Sequence, residues 1–189
     1  METWHTEDKT GWLDGPWQNE PDKAVWVDPA TNLDCMIKRG PSGALCGYVG
    51  VDPTHPLFEV EYNQTKTDDP DDYDYLIDAD VHGGLTYSRL CQEFDEKPET
   101  RLICHTAKPG RSSRIWWFGF DCAHCNDYRP RSEAITAKAC GTPIDPPSPA
   151  SGMREFTYPG YYRDWDYVKN EVVKLASSLH RVDLRANYD

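Results

Sequence analysis

Hydrophobic and polar positions settle into a clear period only near the end of the chain. Val168, Val172, Leu175 and Leu179 recur at i, i+4, i+7 and i+11, one face of an α-helix. Asp164 and Asp166 fall in its first turn, and Lys174, His180 and Arg181 toward its end. Each charge matches the helix dipole. Upstream, the pattern reads as strands. Residues 24–27 are apolar and β-prone, and Asp28-Pro29 stops them. Residues 35–39 and 44–51 predict a hairpin around Gly40-Pro41-Ser42-Gly43. A turn is expected at 52–56 and a strand at 57–62. Residues 76–82 alternate, which puts Leu76, Asp78, Asp80 and His82 on one face and Ile77, Ala79 and Val81 on the other. A short helix is expected at 86–91, and strands at 101–105 and 114–120. The last of these holds the most apolar run, Ile115-Trp116-Trp117-Phe118-Gly119-Phe120, and reads as a central strand.

Strands first and a long helix last predict an α+β fold. A mostly antiparallel sheet would be covered on one face by the C-terminal helix. Irregular loops, one acidic and one proline-rich, would connect the elements. A chain of 189 residues suits a single domain. Residues 1–23 carry Trp4, Trp12 and Trp17 at irregular spacing and read as a loosely attached arm. Residues 141–152 hold Pro143, Pro146, Pro147 and Pro149 and read as a surface loop.

Composition sharpens this picture. Leu, Ile, Val and Phe make up only 32 of 189 residues, and the net charge is −12. Both values fit disorder. The 7 Trp, 11 Tyr and 5 Phe do not, because aromatic side chains bury large areas each. An aromatic core under a polar surface reconciles the two. The acidity is concentrated: residues 59–80 hold Glu59, Glu61 and seven Asp against Lys66, a net of −8. Nucleic-acid polymers and anionic membranes are therefore not expected partners. The first residues show neither a basic segment nor an apolar run, so a cytoplasmic location is expected. Seven cysteines should then be mostly free thiols.

Three constellations carry candidate chemistry. Asp80-Val81-His82-Gly83-Gly84 puts a carboxylate and an imidazole on one face, beside glycines that admit backbone or ligand. Asp121, His124 and Asp127 follow the apolar strand at three-residue steps, so one helical turn would point them to one side. Carboxylate plus imidazole suits Zn, Mn or Fe(II). Cys122-x-x-Cys125 would need a second ligand pair to hold structural zinc, for which Cys35 and Cys46 are available; buried free thiols are the simpler reading. The run Asp68, Asp69, Asp71, Asp72 and Asp74 lacks the Gly and Glu of a calcium loop and reads as a solvated loop.

Four blocks carry a resemblance when taken together. They are Tyr48-Val49-Gly50-Val51-Asp52-Pro53-Thr54-His55-Pro56, Asp80-Val81-His82-Gly83-Gly84-Leu85-Thr86-Tyr87, Trp116-Trp117-Phe118-Gly119-Phe120-Asp121-Cys122-Ala123-His124, and Tyr162-Arg163-Asp164 leading into Val168-Lys169. Over residues 48–181 the chain resembles a family of small uncharacterised proteins encoded by bacteriophages and prophages. The resemblance implies a phage context, hence the host cytoplasm, rather than a reaction. It also singles out His55 and His82 as matching their blocks, and Asp121, His124 and Asp127 as the polar core of the third. Asn126 stands where the family pattern has Gly.

The leading functional expectation is a metal-dependent hydrolase acting on a small molecule. His55, His82, Asp121 and His124 are the expected ligands of a divalent Zn, Mn or Fe ion. Asp80, His82 and Asp127 are the expected catalytic groups. Bound water would be the nucleophile, and Asp80 would orient an imidazole or take a proton. Two alternatives stay open. One is an acidic, non-enzymatic protein that inhibits a host defence or nucleic-acid-binding protein. The other is a binder that sequesters a nucleotide signal, using Gly83-Gly84 and Trp116 or Trp117.

Overall fold

The computed structural model describes residues 1–66, 76–91, 103, 110–141 and 160–186. The acidic run at 68–74, most of the strand expected at 101–105 and nearly all of the 141–152 loop lie outside them. Six strands form one antiparallel sheet: β1 (Glu2–Trp4), β2 (Lys23–Val27), β3 (Asp34–Arg39), β4 (Leu45–Val51), β5 (Tyr87–Leu90) and β6 (Trp116–Asp121). Their order across the sheet is β1-β2-β3-β4-β6-β5. Two α-helices follow, α1 (Pro130–Cys140) and α2 (Trp165–Ala186). The architecture is α+β, with α2 packed on β4 and β3. Among the described residues no helix is long and apolar enough to cross a membrane.

The sheet is buried on both faces. Cys35, Ile37, Leu45, Val49, Val51, Phe118 and Phe120 share the α2 side with Val168, Val172, Leu175 and Leu179. Met36, Cys46, Tyr48, Ile115 and Trp117 form a second cluster on the other side. This is why β4, with all seven residues buried, shows no apolar–polar alternation. Close approach replaces bulk at its centre. Gly47 faces Phe120 and Tyr48 faces Gly119 across the ladder. A Cβ on Gly47 would lie 2.4 Å from the Phe120 ring and 2.6 Å from Val172, so glycine lets α2 settle on the sheet.

The hairpin and the long helix match their expectation. Asp164 precedes α2 as its cap, with Oδ1 accepting the Tyr167 N–H at 2.9 Å. Three segments differ from the expectation. Residues 86–91 contain β5 rather than a helix, because Tyr87–Leu90 pairs with β6 from Gly119 to Trp116. Residues 57–62 form turns, with the Val60 N–H donating to the Leu57 carbonyl. Residues 76–82 join no ladder: the Val81 and Gly84 N–H groups close local turns and the His82 N–H goes to Glu171. Helix α1 was not anticipated, although Pro130 opens it and Gly141 closes it in the left-handed conformation.

Residues 1–23 contribute β1 and a fully buried Trp17. Trp17 stacks on Tyr128 at 5.1 Å and meets the Tyr162 ring edge-on at 4.9 Å. The segment is tied further through Arg39, whose buried guanidinium donates to Asp22 at 2.7 Å, Glu20 at 3.1 Å and the Gly43 carbonyl at 2.9 Å. Truncating the apolar face of α2 should be costly. Leu175→Ala is expected to lose about 2–5 kcal/mol in urea unfolding. Ile135→Ala, at an exposed position, should stay within about 0.5 kcal/mol of wild type.

Candidate metal centre

Three loops meet beside the first turns of α2. The first follows β6. Asp121 Oδ1 accepts the Ala123 N–H at 3.0 Å, and the Asp127 N–H donates to the His124 carbonyl at 3.0 Å. A turn of chain therefore brings His124 and Asp127 together. The second is the turn at 81–84, anchored by buried Val81. The third is the lead-in to α2, where Tyr161 and Asn126–Tyr128 exchange backbone hydrogen bonds of 2.9 and 3.0 Å. Gly83 is required at the contact between the first two. Its φ is +67°, and a Cβ there would lie 2.1 Å from Cε1 of His124.

Among the described residues, His82, His124 and Asp127 form the one group whose ligand atoms all lie within 4.8 Å of one another. Asp127 is its centre. Oδ2 faces His82 Nε2 at 2.7 Å and accepts the His124 N–H at 3.0 Å. Oδ1 accepts from Arg163 Nε at 2.9 Å. His124 Nδ1 sits 3.4 Å from Oδ2; that nitrogen is buried, while the His124 side chain as a whole is 38% exposed. Burial alone would raise the Asp127 pKa. The hydrogen bonds from His82 and Arg163 outweigh it and hold the carboxyl at about 2.

The ring of His82 is held from its other side as well. Nδ1 lies 3.0 Å from the Tyr167 hydroxyl, and the backbone N–H donates to Glu171 Oε2 at 2.8 Å. Glu171 is buried and also receives Lys174 at 2.5 Å. Burial pushes the Tyr167 phenol up.

The structure thus brings His82, His124 and Asp127 together, with Asp127 among the ligand atoms rather than beside them. Asp121 stands outside the group. Its carboxylate is spent on the Ala123 N–H and on the Thr86 hydroxyl at 3.0 Å. His55 lines a separate cleft of about 460 Å³ with Asp34, Asp52, Arg111 and His180. Asp80 is exposed, with Lys174 as a charged neighbour. The group against His82 Nδ1 is the Tyr167 hydroxyl. Arg163, Tyr167 and Glu171 were not anticipated as site residues. Tyr167 and Glu171 lie one turn apart on α2 and Arg163 precedes the helix, so no common helical spacing marks the three in the sequence. No cysteine joins the group: Cys122 is buried and Cys125 exposed, and burial pushes the Cys122 thiol up. Cys91 is disulfide-bonded, whereas Cys35, Cys46, Cys122, Cys125 and Cys140 are free.

Compared with family models, curated proteins and solved structures, the chain matches none of them.

Two outcomes follow from this geometry. Gly83→Ala should cost at least about 1 kcal/mol from the positive φ alone, and should shift the His124 Cε1 proton resonance as its ring is displaced. The second concerns pH. A carboxyl depressed from 3.8 to about 2 stabilises the fold above pH 3.8, and this is lost as pH falls toward 2. Between pH 5 and pH 2, wild type should lose roughly 1–2 kcal/mol more than Asp127→Asn in urea unfolding.

Proposed function

We propose that His82, His124 and Asp127 hold a divalent cation of the Zn, Mn or Fe class, and that the protein is a metal-dependent hydrolase of a small molecule. The observation that carries this reading is the convergence of two imidazoles and one ionised carboxylate within 4.8 Å, beside the partly exposed His124 ring. Bonds of roughly 2.1 Å around a tetrahedral ion put ligand atoms roughly 3.4 Å apart. The observed spread brackets that value, so small side-chain rotations would seat the ion. His82 Nε2 and Asp127 Oδ2, now at 2.7 Å, would part slightly as the metal replaces the shared proton.

The chemistry the group would supply is a water whose pKa is lowered toward about 7, a nucleophile at neutral pH. The chain's own contribution is to keep the Asp127 carboxyl ionised. Asp127 stays ionised across the whole working range because Arg163 and His82 hold its carboxyl down. Protein purified without chelator is expected to carry close to one equivalent of Zn, Mn or Fe. His124→Ala, at a half-exposed position, should lose it while keeping its far-ultraviolet circular dichroism. Turnover of chromogenic ester or phosphodiester probes should vanish with chelator and return with added metal. Wild-type protein with less than about a tenth of an equivalent would end the reading.

A further inference from the structure

The atoms that the ligands can offer are decided outside the cluster. Resting on the metal-site reading above, we propose that Arg163 and Tyr167 are positioning residues: Arg163 limits Asp127 to one donor oxygen, and Tyr167 fixes Nε2 as the nitrogen His82 offers. The centre thereby selects a small, nitrogen-preferring cation such as zinc over calcium.

A carboxylate can bind a metal through one oxygen or both. Calcium draws on both, with six to eight oxygen ligands in all. Here Oδ1 of Asp127 is committed to Arg163 Nε at 2.9 Å. The guanidinium cannot turn away easily. Its side chain is 8% exposed and lies over the Tyr161 and Tyr167 rings at 5.6 and 5.0 Å. An ion bridging both carboxylate oxygens would have to displace that contact and face the fixed positive charge of arginine. Only Oδ2 is directed at the imidazoles.

His82 can give one ion only one nitrogen, and its surroundings decide which. Nδ1 is engaged by the Tyr167 hydroxyl at 3.0 Å, and the two rings meet edge to face at 5.6 Å. That leaves Nε2 for the ion, and the Glu171 carboxylate on the His82 N–H holds the turn that carries the ring. His124 supplies the third donor, with Nδ1 buried and making no hydrogen bond. Two nitrogens and one oxygen, each a single atom, make a three-ligand set. Zinc in catalytic sites takes such a set and completes it with water. Magnesium, which demands octahedral oxygen ligands, is served no better than calcium. Tyr167 and Glu171 lie one turn apart on α2, and Arg163 reaches Asp127 from the segment just before the helix.

Zinc, cobalt and calcium titrations of metal-free wild type, Tyr167→Phe and Arg163→Lys test this, read by chelator competition and by the visible spectrum of the cobalt form. Wild type should bind zinc and cobalt and leave calcium unbound. Tyr167→Phe keeps the ring that packs on Arg163 and His82, so its metal-free melting temperature should hold. Its zinc affinity should fall by about 10- to 100-fold, with an altered cobalt spectrum. Arg163→Lys should narrow the preference for zinc over calcium. If that variant does not fold, Tyr167→Phe still decides. A Tyr167→Phe affinity within about twofold of wild type overturns the inference and leaves the metal site standing. Calcium bound by wild type as tightly as zinc also overturns it. Wild type that binds no zinc or cobalt overturns both the inference and the reading beneath it.

Discussion

A single buried carboxylate organises the functional end of the molecule. The Asp127 side chain is 2% exposed, and an ionised group so placed must be compensated by charge and hydrogen bonds. It draws Arg163 from the lead-in to α2, the His82 ring from the turn at 81–84, and the His124 N–H from its own loop. Each of the three segments is irregular, and a single backbone bridge between Asp127 and Tyr161 is the extent of the ladder pairing among them. The carboxylate holds them in register with one another. Trp17, stacked on Tyr128 and against Tyr162, braces the same junction from the N-terminal segment.

The low aliphatic content has a structural answer. Among the described residues, the five largest fully buried side chains are Trp17, Trp117, Tyr128, Phe118 and Phe120. A few wide rings cover both faces of the sheet, where a typical core would use many more Leu, Ile and Val. Glycines at 47 and 119 then allow those rings to lie across neighbouring strands. Composition alone suggested disorder because it counts residues and not the area each one buries.

What could be read from sequence was what local pattern encodes. The α2 face followed from Val168, Val172, Leu175 and Leu179, and the β3–β4 hairpin from the glycines of its turn. His82 and His124 stood out because each sits beside an element end or a glycine pair. Residues 87–90 were ambiguous, since four residues satisfy a strand or a helical turn equally well, and only pairing with β6 decides. Asp121 and Asp127 looked equivalent at three-residue steps. They differ because Asp121 is used up by a nearby N–H and hydroxyl, whereas Asp127 meets Arg163, 36 positions on. Tyr167 lies 85 positions from His82. Contacts of that separation leave no trace in spacing or periodicity.

The strand order also dictates a sequence of events during synthesis. β1 to β4 form a simple meander, each strand beside the one before it. β5 is made next, yet its ladder partner among the described residues is β6, which begins at Trp116. Tyr87–Leu90 must therefore wait on the ribosome's next few seconds of output, at roughly 5–20 residues per second. Until then β4 is a bare edge with both faces apolar. The chain passes through an interval in which a strand that is buried throughout in the finished fold is complete and uncovered. The acidic stretch at 59–80, with its net charge of −8, is synthesised during that same interval. Its like charges would keep nascent copies apart until β6 and α2 arrive to close the sheet.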